Sequence, residues 1–266
     1  MRIMIFFCLF SLGMPYSSFG ADKGSPTDKA EAFDHTHALF TDVLKNFVVT
    51  KDHKSEVNYK ALKENAQGLN EYLHSLSEIK RETLQTWSKN QKMAFYINAY
   101  NAFTLKLLID HYPVKSIKDI GSFFSSPWKK EFISLFGKKV HLDHIEHDIL
   151  RKEFSEPRVH FAVNCASIGC PALRDEAYTA EALEKQLDEQ ARLFLNDSSR
   201  NRVDIKDKTL YLSKIFKWFK EDFEKNGMTI PKFIKPFFSK LDPKIDLNTF
   251  KIEYTNYDWS LNEIKE

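Results

Sequence analysis

The sequence has little cysteine, glycine, proline or net charge. Its 266 residues include three cysteines, eight glycines and nine prolines, which excludes a collagen-like or linker-dominated chain. Lys+Arg 39 against Asp+Glu 37 gives a formal net charge of +2. Because these charges are spread along the chain, there is no basic stripe for duplex binding, and we expect no nucleic-acid partner.

Apolar and aromatic side chains, in contrast, are abundant. Hydrophobic residues make up 42% of the chain and aromatic residues 14%, with 23 phenylalanines among them. This composition can bury a sizeable core built on aromatic packing. A globally disordered chain is therefore excluded.

The N-terminus has the layout of a secretory signal peptide. Arg2 precedes the apolar run Ile3–Leu12, and small residues then lead to a cleavage site between Gly20 and Ala21. The run is shorter than the roughly 20 residues that a membrane anchor needs. We therefore expect residues 1–20 to be removed and the product to be exported, either periplasmic or secreted. No later run is of spanning length, so no transmembrane segment is predicted in the mature chain.

Cleavage would remove Cys8 and leave Cys165 and Cys170, which are separated by four residues. In an oxidising compartment such a pair can close a small disulfide ring, which contributes about 2 kcal/mol in the chain-entropy model. The two residues can equally remain thiols. The sequence leaves both states open.

Patterns of helical period dominate the chain. They predict a helix from Ala30 to Phe47, a second through Leu69 and Leu76 after a short connection at Asn58–Leu62, and a nearly all-round apolar, central helix over Trp87–His111. The other predicted elements are a hairpin within Glu131–Leu142, a helix from the capping box Asp143/Glu146 through Phe154, a strand over Arg158–Val163, a helix over Thr179–Asn196, a hairpin over Val203–Leu212, a helix from Ser213 to Gly227 and a strand over Phe250–Tyr254.

These elements indicate the α+β class. We predict a helix-rich single domain with a small, largely antiparallel sheet of hairpins packed on the central helix. Residues 21–56 are interpreted as an N-terminal helical extension of this domain.

The predicted strand Arg158–Val163 runs into a loop that contains both cysteines. If Pro171 is the first residue of a helix, Cys170 lies near the helix N-terminus, where the dipole favours a thiolate. Cys165 is the competing nucleophile. Successive side chains of a strand point to opposite faces, so His160 shares a face with Asn164 and cannot reach Cys165 unless the loop turns immediately.

A cysteine nucleophile needs a base and usually a third group that orients the base. His147 and His160 are the candidate bases, and Glu146 is a candidate orienting group. In the alternative interpretation Glu146 only caps its helix, the histidines are structural, and the two cysteines are bridged.

Zinc is a further alternative, because His141, His144 and His147 could join the two cysteines as ligands. A single cysteine pair without a second close pair argues against it. We therefore predict no metal and no cofactor.

Two asparagines in the central helix, Asn98 and Asn101, are three residues apart and share a face. Burying an unpaired amide costs about 1 to 3 kcal/mol. Each therefore either bonds the backbone of the loop after Val163 or contacts a ligand. Arg174 could recognise a carboxylate, or it could pair with its neighbours Asp175 or Glu176.

Several segments, in order along the chain, resemble the domain-of-unknown-function 547 family. The segments are Phe95–Ala102, Ile145–Arg151, His160–Pro171, Leu212–Trp218 and Tyr257–Asn262. The resemblance spans about Val57 to Asn262 and assigns residues 57–266 to this domain. It implies no settled reaction. Relatives occur as exported bacterial proteins and as plant and animal domains, some fused to glutaredoxin-like or leucine-zipper regions, which suggests thiol chemistry or scaffolding. The residues to which the family pattern points are Asn98, Asn101, Glu146, His147, His160, Asn164, Cys165 and Cys170.

The resulting hypothesis is a thiol-dependent hydrolase or transferase that acts on an unknown small molecule or protein. Cys165 or Cys170 would be the nucleophile, with His147 or His160 as its base and Glu146 beside them. The residues expected to bind the substrate or stabilise an oxyanion are Asn98, Asn101, Asn164 and Arg174. Two alternatives stay open: a non-catalytic binding or scaffolding domain with a structural disulfide, and a redox-active dithiol module.

Overall fold

A long buried helix, α5 (Lys89–His111), lies at the centre of the protein. Ser88 opens it with a capping box, because its side chain accepts the N–H of Gln91 while the Gln91 side chain accepts the N–H of Ser88. Every residue from Met93 to Ile109 except Lys106 is buried. The helix ends before Pro113, which cannot continue it. The predicted central helix is confirmed.

The computed structural model describes residues 33–122, 125–238 and 240–265. The α-helices are α1 (Ala38–Phe47), α2 (Tyr59–Glu64), α3 (Gln67–Ser77), α4 (Arg81–Gln85), α5, α6 (Arg151–Glu153), α7 (Val159–Ala162), α8 (Leu183–Leu195), α9 (Ile215–Trp218), α10 (Lys220–Phe223) and α11 (Ile230–Ile234). A π-helix covers His144–Leu150, and 3₁₀ turns cover Ile117–Ile120, Pro127–Lys129, Lys225–Gly227, Lys235–Phe237 and Leu247–Thr249. The predicted leader, the cleavage site and Ala30 lie outside the described residues.

The strands form three small sheets. They are β1 (Val48–Lys51), β2 (Lys54–Val57), β3 (Ile133–Leu135), β4 (Lys138–Val140), β5 (Arg202–Asp204), β6 (Thr209–Leu212) and β7 (Lys251–Tyr254). The pairs β1–β2, β3–β4 and β5–β6 are antiparallel, and β7 joins β6 in parallel. The turn between β3 and β4 has positive φ at both Phe136 and Gly137, which suits a two-residue hairpin. The helix-rich α+β class with largely antiparallel hairpins is confirmed.

The segment predicted as a strand, Arg158–Val163, is instead the short helix α7. The N–H groups of Phe161 and Val163 bond to the carbonyls of Arg158 and Val159, which is a helical pattern. An apolar run this short has the same appearance in a buried strand and a buried helix. Because α7 is buried on all sides, no polar face revealed its period.

The predicted capping box at Asp143 and Glu146 is also wrong. Asp143 makes no side-chain cap, and the segment that follows is a π-helix rather than an α-helix. Glu146 is buried and its carboxylate interacts with the hydroxyl of Tyr100. Because the Glu146 side chain points into the interior, it does not bond the backbone N–H of Asp143, as a capping box would require.

Other predicted elements differ at their ends or are interrupted. Within the described residues the first helix begins at Ala38, because residues 33–37 are not helical. The connection at Asn58–Leu62 becomes α2, capped by Asn58. The helix predicted from Ser213 to Gly227 is broken at Phe219, which has non-helical backbone angles. Phe219 instead stacks on His160.

Two hydrophobic clusters meet at α7. The first surrounds α5 and includes Val159, Ala162 and Val163, whereas the second is rich in phenylalanine and includes Phe161. The cysteine loop therefore begins at the end of a helix whose residues pack into both hydrophobic clusters. Among the helices of the described residues, none is long and apolar enough to cross a membrane.

Candidate functional site

A cavity of about 280 Å³ lies beside the cysteine loop. Its lining includes all five residues predicted to be catalytic: Glu146, His147, His160, Cys165 and Cys170. They come from the π-helix, from α7 and from the loop that follows α7. The tertiary structure thus brings together groups that are up to 24 residues apart along the chain.

Cys165 and Cys170 form a disulfide, with their Cα atoms 6.2 Å apart. Cys165 is half-buried, whereas Cys170 is only 4% exposed. In this state neither sulfur is a free nucleophile. Of the two states that the sequence leaves open, this structure contains the disulfide.

Hydrogen bonds converge on the bridge. The Cys170 sulfur accepts the N–H of Cys165 at 3.0 Å and the hydroxyl of Tyr257 at 3.2 Å. The Tyr257 oxygen is also 3.2 Å from the Cys165 sulfur. The Ser167 hydroxyl donates to the Tyr257 oxygen at 3.3 Å. Burial raises the pKa of Tyr257, so its hydroxyl keeps its proton and remains a donor.

Cys170 does not lie at a helix N-terminus, contrary to the prediction. The chain from Pro171 to Arg174 is irregular, and α8 begins only at Leu183. The Pro171 carbonyl accepts a hydrogen bond from the side chain of Asn164, which holds the chain across the loop. Proline is permitted at a first helical position but does not impose a helix.

Two asparagines shape the loop. The Asn101 side chain donates to the carbonyl of Ala162 at 3.0 Å and accepts the N–H of Asn164 at 2.8 Å. The Asn164 side chain in turn accepts the N–H of Ala166 at 2.8 Å, and Ala166 has a φ of 60°. The interpretation that Asn101 bonds the backbone of this region is confirmed.

The C-terminal segment closes the loop from the other side. The N–H groups of Ile168 and Gly169 bond to the carbonyls of Ser260 and Asp258, both at 2.8 Å. A Cβ at Gly169 would lie 2.9 Å from the ring of Tyr257. Only glycine therefore allows Tyr257 to approach the bridge without a shift.

His160 forms a pair with Asp222 within the buried wall of the cavity. Its Nε2 lies 2.8 Å from the Asp222 carboxylate, and its ring stacks on Phe219 with centroids 3.9 Å apart. Burial lowers the pKa of His160 although Asp222 opposes this effect. Since a carboxylate only accepts, Nε2 carries the proton in the neutral ring and Nδ1 is the basic nitrogen.

Asp222 is surrounded by donors. Burial works against its charge, but hydrogen bonds from His160, Arg151 and Lys225 hold its pKa well below the ordinary range. The Arg151 contact is 2.5 Å and the Lys225 contact 3.1 Å. No local pattern could have identified Asp222, because it is 62 residues from His160.

His147 takes part in a different set of contacts. Its Nδ1 lies 3.1 Å from Arg151, and its Nε2 lies 3.7 Å from Asp143. Asp143 also lines the cavity. His147 is thus placed between a cation and a carboxylate rather than against the sulfurs.

Aromatic side chains form much of the remaining wall, and residue patterns gave them no role. They are Tyr100, Trp128, Trp218, Phe219, Tyr257 and Trp259. Four of them lie in segments that carried the family resemblance: Tyr100 in Phe95–Ala102, Trp218 in Leu212–Trp218, and Tyr257 and Trp259 in Tyr257–Asn262. Their convergence on the cysteines depends on tertiary structure.

The other residues predicted to bind substrate lie elsewhere. Asn98 uses both ends of its amide on the backbone of Tyr178, at 2.7 and 2.9 Å. Asn164 lines a second cavity, of about 170 Å³, on another side of Cys170. Arg174 pairs with Glu176 at 2.5 Å and Glu189 at 3.2 Å, so the predicted pairing with Glu176 is confirmed.

Metal ligation has no candidate in the part of the chain that the structure describes, where no group of three or more His, Cys, Asp or Glu side chains could hold an ion. His141 and His144 instead form a local contact, in which the His141 ring accepts the N–H of His144 at 3.0 Å.

Comparison with protein-family models gave one finding. Residues 84–195 match the family described as "Protein of unknown function, DUF547". The resemblance seen in the sequence is thereby supported for this segment, which is less than half of the chain. The DUF547 segment contains both cysteines, Glu146 and His160, but it does not extend to Asp222 or Tyr257. Searches of curated proteins and of solved structures returned no match.

Proposed function

We propose that this protein is a thiol–disulfide exchange module whose Cys165–Cys170 bridge reacts with thiols of a partner molecule. The supporting observation is the position of the bridge in a cavity wall, with hydrogen-bond donors directed at the Cys170 sulfur. A bridge that only stabilises a fold needs neither a cavity beside it nor donors on one of its sulfurs.

The exchange begins at the more accessible sulfur, that of Cys165. A partner thiolate forms a bond to this sulfur, the bond between Cys165 and Cys170 breaks, and the electron pair leaves with Cys170 as a thiolate. A second partner thiol then displaces Cys165 from the mixed disulfide. Two partner thiols are thereby oxidised to a disulfide, and the bridge is reduced to two thiols.

Cys170 is suited to be the leaving group. The N–H of Cys165 and the hydroxyl of Tyr257 already point at its sulfur. Hydrogen bonds to a thiolate stabilise the charged form, and a more stable thiolate leaves faster. The Ser167 hydroxyl lies 3.4 Å from the Cys170 sulfur and 3.2 Å from the Cys165 sulfur, so it does not distinguish the two.

His160 supplies a base for the incoming thiol. Its ring is neutral because burial lowers its pKa, and the hydrogen bond to Asp222 leaves Nδ1 as the nitrogen that can accept a proton. A thiol that enters the cavity can lose its proton to this nitrogen. The attack then proceeds from the thiolate, which is the reactive form.

Intact-mass spectrometry with alkylation tests the proposal. The mature chain from Ala21, which lacks Cys8 and contains only Cys165 and Cys170, is incubated in its folded state with 2-mercaptoethanol without denaturant and then with iodoacetamide. We expect two alkylated cysteines after reduction and none before it. If the bridge opens only when urea has unfolded the protein, the disulfide is structural and the proposal is wrong.

Single-cysteine variants identify the attacked sulfur. We expect Cys165 in the C170S variant to form a mixed disulfide with bis(2-hydroxyethyl) disulfide at least about tenfold faster than Cys170 in the C165S variant, because access limits reaction at a buried sulfur. Equal rates, or faster reaction at Cys170, would contradict the assignment of Cys165.

A second candidate is thiol-dependent hydrolysis or group transfer by the reduced protein. It is favoured by the His160–Asp222 pair, because a nucleophilic cysteine, a histidine base and a carboxylate that orients it form a known type of catalytic set. The amides of Asn98 and Asn101 already bond the backbone, so oxyanion stabilisation would have to come from other groups.

The two candidates differ in their dependence on reduction. Hydrolysis of p-nitrophenyl acetate by the reduced protein, with a burst that alkylation abolishes, would support the second candidate. Exchange activity without such a burst would support the first.

We also propose that the protein is exported to an oxidising compartment. Disulfides persist in oxidising compartments, and the leader predicted for residues 1–20 would deliver the chain to one. N-terminal sequencing of the mature protein from a bacterial host is expected to begin at Ala21. A mature chain that retains Met1 and stays in the cytosol would contradict export without affecting the exchange test.

A further inference from the structure

The cavity beside the bridge has walls that the exchange reaction itself does not require. Three rings, those of Trp218, Tyr257 and Trp259, contact one another with centroids 4.6 to 5.7 Å apart. Their planes are tilted by 32 to 59°. Centroids this close leave no space between the rings, so the three side chains pack as one aromatic surface that lines the cavity. Trp218 is 44% exposed, which is unusual for so large an apolar side chain.

Acidic groups supply the charge of this cavity. Glu146, only 8% exposed, and Asp143 both line it. Among the described residues that form its lining, none is lysine or arginine. Two cations outside the lining contact residues that form it: Arg151 lies 3.1 Å from His147 as well as 2.5 Å from the Asp222 carboxylate, and the ammonium of Lys118 lies 3.7 Å over the ring of Trp259.

The Lys118 contact shows what such a ring attracts. An ammonium within about 6 Å of an indole centroid is held by the ring quadrupole, and Lys118 meets this condition without lining the cavity. Aromatic walls together with a buried carboxylate are the groups that recognise ammonium and guanidinium ions.

We infer that the cavity selects partner thiols that carry a cationic group close to the sulfur, with Trp218, Tyr257, Trp259 and Glu146 as the recognising residues. This inference rests on the proposed exchange function and names its substrate class. A thiolate on a molecule without a cationic group is repelled by the Glu146 carboxylate. A thiolate with an ammonium on the same molecule brings a charge that offsets the repulsion.

Binding without chemistry is the first test. Choline and 3,3-dimethyl-1-butanol have nearly the same shape, but only choline is charged. We expect choline to change the tryptophan fluorescence of the oxidised protein at a concentration about tenfold lower than its neutral analogue. Equal responses to the two compounds would overturn the inference. A response to methyl glucoside but not to choline would overturn it as well, because the rings would then bind a sugar.

Reduction kinetics are the second test. Cysteamine, 2-mercaptoethanol and mercaptoacetate are small thiols with a positive, neutral and negative end. We expect the rate constant for opening the bridge, expressed per thiolate, to fall in that order, with about tenfold between the first and the second. A rate that does not depend on the charge of the thiol would overturn the inference.

Two variants connect the preference to the named residues. E146Q removes the charge and is expected to lower the ratio of the cysteamine rate to the 2-mercaptoethanol rate by about threefold or more, whereas E221Q, at an exposed glutamate outside the cavity lining, leaves the ratio unchanged. If E146Q does not fold, W218L serves in its place, because Trp218 is exposed and its loss should weaken choline binding.

The outcomes separate this inference from the proposed function. Choline binding together with a bridge that no thiol opens would remove the exchange function and leave a cation site. Exchange that is indifferent to thiol charge would keep the function and remove the inference.

Discussion

The side-chain oxygen of Asn101 accepts the backbone N–H of Asn164 at 2.8 Å, which ties the middle of the longest helix to the residue before Cys165. The other end of the same amide donates to the carbonyl of Ala162. One side chain therefore satisfies two buried backbone groups on either side of Val163 and sets where the cysteine loop begins.

Replacing Asn101 should destabilise the protein. N101A leaves a buried donor and a buried acceptor unpaired, at about 1 to 3 kcal/mol each, so we expect the free energy of unfolding to fall by on the order of 3 kcal/mol. Urea denaturation measures this change. The control N70A alters an exposed asparagine and should stay within about 0.5 kcal/mol. Equal effects of the two substitutions would show that the two hydrogen bonds of Asn101 contribute nothing to stability.

The Tyr257 hydroxyl should affect the rate of exchange. It contacts both sulfurs at 3.2 Å, and Y257F removes that contact while keeping the ring. A hydrogen bond worth about 1 kcal/mol corresponds to a roughly fivefold slower opening of the bridge by 2-mercaptoethanol. Stopped-flow kinetics compare Y257F with Y254F, which removes a hydroxyl from β7. A faster reaction in Y257F would show that the hydroxyl protects the bridge.

Asp222 should contribute to stability against acid. Its folded-state pKa is held below the unfolded value by His160, Arg151 and Lys225, so the unfolded chain binds more protons as the pH falls through the ordinary range near about 4. The stabilisation is therefore complete above that range and is lost below it. We expect D222N to be less stable than the wild type by at least about 2 kcal/mol at pH 7, and the difference to shrink below about pH 4.

Chemical denaturation at several pH values measures that difference. D175N, at an exposed aspartate, is the matched control and should follow the wild type at every pH. A difference between D222N and the wild type that is constant from neutral to acidic pH would contradict the electrostatic explanation.

His37 should make the fold sensitive to mild acid. Only 1% exposed, it bonds the Tyr72 hydroxyl at 2.7 Å. Burial lowers its pKa to about 4, while Asp34 opposes the shift and His35 adds to it. Between this value and the unfolded value of about 6.5, the unfolded chain binds more protons, so stability falls as the pH decreases. The loss reaches about 3 kcal/mol at pH 4.

The variant H37N tests this origin, since asparagine tolerates the left-handed backbone that His37 adopts. Its free energy of unfolding should change less between pH 7 and pH 4.5 than that of the wild type. H74Q, at an exposed histidine, should retain the wild-type slope. An unchanged slope in H37N would assign the acid sensitivity to other groups.

The sequence was sufficient for elements with a strong periodic signal. The apolar pattern around Met93 to Ile109 predicted α5, and the glycine at position 137 predicted the turn of the β3–β4 hairpin. Short apolar runs were not sufficient, because four buried residues such as Val159–Ala162 have no polar face from which to distinguish a helix from a strand.

The sequence by itself determined which chemical groups the protein possesses: two nearby cysteines, histidines and a glutamate in neighbouring motifs, and asparagines on one face of a buried helix. Only the tertiary structure decided how they act. It bridged Cys165 to Cys170, paired His160 with Asp222, and brought Tyr257 from the end of the chain to the sulfurs. The reason is physical: local patterns encode burial and period, whereas the partner of a buried polar group is chosen by whatever distant segment packs against it.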